Sequence, residues 1–290
     1  MKRILVPIDF SAVSRSAAKF AIELAEESGS EVLLLYSSHI DYYNEFTYTT
    51  TLNMQPAIDE VEKSVKERMG NFQRGLSTHS KLRVEVSGLH LIEAIKETVA
   101  HEQVGLIVMG THGSTGLSEL FVGSNTERIV RLIGCPVISV PSAVSFRDIK
   151  KILVPVDLRE IQDEFLKKLV VLQQLFSASL EFMWVQTPHN IENEESLKKE
   201  FQALINTYGF DKTTFSIERN VFPDQGILEH ANSNGANMIA MATHSRKGIS
   251  HLLSGSLAEN TVNHIGVPVW TFKLDKKAKN IELANFEKLY

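Results

Sequence analysis

The chain repeats itself, and the repeat limits its fold more than any other feature. Lys2-Arg3-Ile4-Leu5-Val6-Pro7-Ile8-Asp9 returns as Lys150-Lys151-Ile152-Leu153-Val154-Pro155-Val156-Asp157. Met109-Gly110-Thr111-His112-Gly113 returns as Met241-Ala242-Thr243-His244-Ser245, and Gly123-Ser124-Asn125-Thr126-Glu127 returns as Gly255-Ser256-Leu257-Ala258-Glu259. A Pro-Val pair then closes each copy, at Pro136-Val137 and Pro268-Val269. The offset is 148 residues at the front and 132 at the back, so the first copy carries a surplus, which the sequence places around Tyr42 to Pro56 rather than in the chemistry-bearing motifs. Two copies of one domain therefore account for the 290 residues, with boundaries read at 1–143 and 149–274, a short polar junction from Ser145 to Lys150, and a charged tail over 275–290.

Within each copy, short apolar runs alternate with helical periodicity. Ile4 to Val6 reads as a buried strand, and Val13, Ala17, Phe20, Ala21, Leu24 and Ala25 recur at helical spacing up to Gly29, which suits a left-handed helix end. Val32 to Tyr36, Leu82 to Val86, Leu106 to Met109 and Pro136 to Val140 read as further strands. Helices are expected over Ile58 to Phe72, Leu91 to Val99 and Ser124 to Ile133. Strands this apolar are covered on both faces, and a βαβα alternation implies a parallel sheet. The expected fold class is therefore α/β, with two tandem doubly wound parallel-sheet domains.

Composition excludes several functions. With 43% apolar residues the chain has enough material for real cores, and a net charge of −5 without a long basic block argues against a nucleic-acid binder. The longest apolar runs fall far short of the roughly 20 residues that cross a bilayer, and Pro7 and Asp9 interrupt any signal-like stretch at the start. A single cysteine excludes an internal disulfide, which fits a reduced, cytoplasmic protein; Cys135 beside Pro136 reads as a buried structural thiol.

In open parallel sheets, ligands bind beyond the carboxyl ends of the strands. The loop after the fourth strand and the helix that follows spell Gly110-x2-Gly113-x9-Gly123-Ser124. Glycines there let backbone N–H groups approach a phosphate, and Ser124 opens a helix whose positive dipole end attracts an anion. The same glycines also serve as turn formers, and Ser124 with Glu127 fits a capping box that needs no ligand. Neither a Walker loop nor a dinucleotide Gly-x-Gly-x2-Gly string is present.

These residues resemble a known family. The Val-Pro-x-Asp-x-Ser opening at Val6 to Ser11, the glycine motif and the Pro-Val strand are similar to the universal stress protein family in its tandem two-domain form, over about residues 1–142 and 149–274. The resemblance implies a Rossmann-like fold of the adenine-nucleotide α-hydrolase-like class and ATP, with or without Mg2+, as the bound cofactor. Carried over by position, Pro7, Asp9 and Ser37 line the adenosine end, although Ser37 replaces an apolar residue of the family pattern. Met109, Gly110, His112, Gly113, Gly123, Ser124 and Asn125 approach ribose and phosphates. The carboxylate of Asp9 suits either a base or ribose contact or a helix cap with Ser11. His112 is read as contributing its backbone N–H.

The second copy departs from the pattern where it matters, with Ala242 for Gly110 and Ser245 for Gly113, so its site is expected to bind nucleotide weakly or not at all. Arg246 and Lys247 could contact an anion by side chain instead, with solvated surface charge as their default reading. No Gly-x-Ser-x-Gly elbow, His-Glu-x2-His or Cys/His cluster appears, so turnover beyond slow ATP hydrolysis is not expected. The leading expectation is an ATP-binding regulatory module of the stress response that presents a surface to a protein partner. A nucleotide-independent scaffold and a slow ATPase are the alternatives. The resemblance further implies that the two copies pair within one chain through their last strands, with dimerisation of chains left open. The aromatic segment Tyr42 to Tyr48 is read as a packed excursion, a nucleotide cover or a partner surface.

Overall fold

A computed structural model describes residues 1–39, 55–111, 124–142, 144–158, 161–243 and 266–274. The inserted aromatic segment, the glycine loop through Gly123, its counterpart in the second copy and the C-terminal tail lie outside these residues. Two compact units emerge.

The first unit holds five parallel strands in the order β3-β2-β1-β4-β5: β1 (Arg3–Ile8), β2 (Glu31–Ser37), β3 (Leu82–Ser87), β4 (Val104–Thr111) and β5 (Val137–Pro141). Ile4, Leu5 and Val6 of β1 and Val32 to Leu35 of β2 are fully buried, as expected for central strands covered on both faces. Helix α1 (Ala12–Ser28) begins where the Ser11 side chain accepts the Ser14 N–H at 3.1 Å. It ends where Gly29, at φ 66°, donates its N–H to Ala25 O. Its buried stripe of Ala17, Ala18, Phe20, Ala21, Leu24 and Ala25 is largely small, which lets the helix lie close to the sheet. Helices α2 (Gln55–Arg74) and α3 (Leu91–His101) complete the crossovers. Near the start of the strands, Arg3 donates to Glu31 at 2.7 Å and pairs with Glu102 at 2.9 Å, while Arg83 reaches Glu102 at 3.0 Å.

Helix α4 (Ser124–Leu132) precedes β5 in the chain but groups with the second unit, where Lys273 Nζ donates to Leu132 O at 3.4 Å. That unit repeats the strand order as β8-β7-β6-β9-β10, all parallel: β6 (Lys151–Pro155), β7 (Ser179–Gln186), β8 (Thr213–Arg219), β9 (Met238–Thr243) and β10 (Val269–Lys273). Its further helices are α5 (Asp163–Phe176), α6 (Glu194–Tyr208) and α7 (Pro223–Ser233). The stretch from Ser145 to Lys150 is more than a polar junction. Ser145 and Asp148 form a capping box around a 3-10 turn, and Phe146 is buried with its ring 4.8 Å from that of Phe176. No helix among the described residues is long and apolar enough to cross a membrane.

Candidate functional site

In the first unit, strand order reverses between β1 and β4, and open α/β sheets bind their ligands beyond the carboxyl ends of such a pair of neighbouring strands. The structure brings Pro7, Asp9, Ser37, Met109 and Gly110 to this end of the sheet. Pro7 is buried in register with Leu35, and Met109 is buried in β4.

Asp9 is exposed just past β1, and its Oδ1 accepts the Ser11 N–H at 3.0 Å. The turn that starts α1 therefore uses part of the carboxylate. Burial pushes the Asp9 pKa up, but hydrogen bonds from Ser11 and Ser14 outweigh it and hold the carboxyl below its ordinary value of 3.8. The group is thus ionised near neutrality and able to accept further hydrogen bonds.

Between Asp9 and Ser11, Phe10 takes φ 66°, a conformation that costs a non-glycine residue about 1–3 kcal/mol. Contacts made by its ring hold it there. It lies 4.5 Å from Tyr36 and 5.9 Å from Phe72, and the Arg68 guanidinium sits 4.4 Å above it. Arg68 also donates to Tyr36 Oη at 3.3 Å. No sequence pattern marks this cluster, because 26 to 62 residues separate Phe10 from its three partners. The only local signal was an aromatic between two polar turn residues.

Ser37 donates its hydroxyl to Leu89 O at 2.6 Å, tying the end of β2 to the loop before α3. Gly110 has a reason of its own to lack a side chain. A Cβ there would stand 2.4 Å from Val13 O and 2.6 Å from Val13 Cγ1, inside the first turn of α1. In the second unit Ala242 stands at the position of Gly110. At the 148-residue offset Asp163, the first residue of α5, corresponds to Arg15, so Ile161, the counterpart of Val13, precedes the helix instead of lying in it.

His112, Gly113 and Gly123 lie outside the described residues. Ser124 and Asn125 open α4, with Asn125 exposed. Cys135 is buried, which pushes its thiol up to about 12, the nearby Lys168 opposing only weakly. In the second unit, α5 lacks a side-chain cap at Gln162 and carries Asp163 and Glu164 in its first turn.

The second unit also holds a buried polar cluster that no motif announced. His230 of α7 places Nε2 2.6 Å from Glu181 Oε1 and Nδ1 2.7 Å from Glu218 Oε1, while Lys151 Nζ reaches Glu181 Oε2 at 2.7 Å. Both ring nitrogens donate only when the imidazole carries two protons. Lys151 and His230 draw down the Glu181 carboxyl, and together they overcome the burial that raises it. The cluster ties α7 to β6, β7 and β8 from residues up to 79 positions apart, as for Lys151 and His230. Among the described residues no group of His, Cys, Asp or Glu is arranged to hold a metal ion.

Two sets of parallel strands in the same order, each built from alternating strands and helices, define a duplicated Rossmann-like α/β protein. Sequence comparison agrees with the duplication, because the family model of the universal stress proteins matches twice, over residues 1–141 and 148–273. The chain belongs to the universal stress protein family. A universal stress protein of Methanocaldococcus jannaschii is 31% identical over 148 residues, 48% of this chain and 81% of the relative. A two-repeat-length universal stress protein of Synechocystis is 22% identical over 311 residues, spanning 94% of this chain and all (100%) of the relative. The crystal structure of a universal stress protein from Archaeoglobus fulgidus shares the fold, with a TM-score of 0.64 at 19% identity over 93% of this chain and 98% of that one.

Proposed function

We propose that this protein is an ATP-binding regulatory module of the stress response, acting in the cytoplasm, in which the first repeat holds the nucleotide. One observation carries the reading: the string Gly110-x2-Gly113-x9-Gly123-Ser124 leaves β4 next to the loop after β1, where the strand order reverses. Main-chain N–H groups of Gly113, Gly123, Ser124 and Asn125 take the phosphates, with the start of α4 adding its dipole. His112 contributes its backbone N–H. The ionised, exposed Asp9 accepts from the adenine amino group or a ribose hydroxyl, and Pro7, Ser37 and Met109 flank the base.

Mg2+, when present, is carried on the phosphates. The second repeat serves as a structural partner. Its Ala242 and Ser245 add bulk to the loop where the first repeat has Gly110 and Gly113. Bound nucleotide acts by stabilising one conformation through differential affinity, and so changes the surface offered to a protein partner.

The test is calorimetric titration of the purified chain with ATP, together with chromatography of whatever the protein releases on denaturation. Gly113→Ala and Gly123→Val are expected to weaken ATP by about ten-fold or more, roughly the cost of one displaced hydrogen-bonded contact, with circular dichroism unchanged. Unchanged dissociation constants for both variants would remove the phosphate-loop assignment. Absence of released nucleotide together with no thermal shift in ATP would favour a nucleotide-independent scaffold.

A further inference from the structure

We propose that a cavity between α2 and β3 in the first unit binds a small amphipathic carboxylate, a molecule with an aliphatic or aromatic body and an anionic head. The cavity measures about 710 Å³. Small-molecule sites typically occupy ~300–1,000 Å³ and combine an apolar lining with a few polar groups. Here Val65 and Met69 of α2 face Val84 and Val86 of β3, and Glu62 and Lys66 stand at the rim. The site shares no residue with the proposed nucleotide site, so it does not rest on the nucleotide assignment.

The second repeat shows what a filled version of this space looks like. Leu34 pairs in register with Val84, and at the equivalent register of the second sheet Phe182 pairs with Phe215. Val65, Met69 and Phe72 form the buried stripe of α2, and Leu197, Phe201 and Leu204 repeat that spacing in α6. Three rings thus stand where the first repeat has Leu34, Met69 and Val84. Phe201 stacks on Phe215 at 4.7 Å and meets Phe182 at 5.2 Å, closing the layer. In the first repeat Met69 and Val84, smaller than the rings at the equivalent positions, line the cavity. Gly70 withholds one more side chain, because a Cβ there would meet only the tip of Arg74 at 3.9 Å. Val86, on the outer strand of the first sheet, remains 49% exposed, leaving apolar wall in water.

Charge selects the head group. Among the described residues Lys66 makes no ion pair, including with Glu62 one turn earlier, whereas Lys81, Arg83 and Arg3 are all engaged by carboxylates. A cation on a flexible apolar stem at the mouth of an apolar cavity matches an anionic head above an apolar body. Glu62 opposes that head and weakens it.

The experiment titrates the full chain with octanoate and with 1-octanol, by calorimetry and by the NMR shift of the Met69 methyl group. Octanoate is expected to saturate one site, to move the Met69 signal and to bind more tightly than 1-octanol. Met69→Phe with Val84→Phe, which installs the rings of the second repeat, is expected to cost at least about ten-fold in affinity by filling the space that several methylenes would occupy. Lys66→Glu is expected to weaken octanoate about two- to five-fold and Glu62→Gln to strengthen it similarly, the range of an exposed ion pair. Lys66 is on the surface, so its variant keeps the proposal falsifiable even where the double Phe variant fails to fold. Failure to saturate at millimolar octanoate, undiminished binding in the folded double Phe variant, or equal affinity for 1-octanol would each overturn the proposal.

Discussion

Gly110→Ala tests how the site end of the first sheet is built. The new Cβ would lie 2.4 Å from Val13 O and 2.7 Å from the Val13 carbonyl carbon, against the 3.4–4 Å of ordinary contact. The obstacle is backbone inside a helix, so no rotamer change relieves it, and the first turn of α1 must move by about 1 Å. That movement also disturbs the Ser11 cap on Ser14, itself worth about 1 kcal/mol. Overpacking of this kind costs about 1–3 kcal/mol, and with the cap the expected loss is about 3 kcal/mol, or roughly 6–12 °C in Tm. Ala242→Gly in the second unit is the matched control. The helix there starts later, and the change should cost only the backbone entropy of glycine, about 0.5–1 kcal/mol. Differential scanning calorimetry and urea unfolding of both variants provide the measurement. A Gly110→Ala loss below about 1 kcal/mol, or equal losses for the two variants, would refute the close-approach explanation.

Two further outcomes are expected. Burial raises the Glu31 carboxyl, but the hydrogen bond from Arg3 and the charges of Lys81 and Arg3 bring it below its ordinary 4.5. A native value below the unfolded one means that this stabilisation is complete above the unfolded pKa and is lost as pH falls below 4.5. The urea midpoint of wild type should therefore exceed that of Glu31→Gln at pH 7, with the gap narrowing in acid; a constant gap would contradict the assignment. His230→Ala removes one of the two hydrogen-bond partners of buried Glu181 and should cost about 1–3 kcal/mol, the usual loss when a buried polar group loses a partner. A double-mutant cycle with Glu181→Gln should return a coupling of at least about 0.5 kcal/mol, and additivity would show the contact to be inert.

Much of the architecture was legible because it rests on short-range chemistry. The 148-residue echo, the alternation of apolar runs with helical stripes, and the Ser11 and Gly29 caps are all set by neighbours within a turn or two, where side-chain spacing and backbone preference suffice. The candidate site was legible as a motif, since Gly-x2-Gly-x9-Gly-Ser states a demand for bare backbone wherever it occurs. What each residue touches was not in the string. That Gly110 must spare room for Val13, that Phe10 is held in a left-handed conformation by Tyr36 and Arg68, and that Ser37 turns to Leu89 follow from which strands lie side by side.

The two repeats mark the division plainly. From sequence alone they are copies of one α/β unit, because periodicity and turn residues survive substitution. Sequence separates them at Ala242 and Ser245, and tertiary packing sets them further apart. It seats His230 between Glu181 and Glu218, closes one layer with Phe182, Phe201 and Phe215, and leaves the other open around Met69 and Val84. These differences depend on volumes and charges meeting across strand register and helix faces, and a linear pattern carries the period of those faces without specifying what lies opposite them.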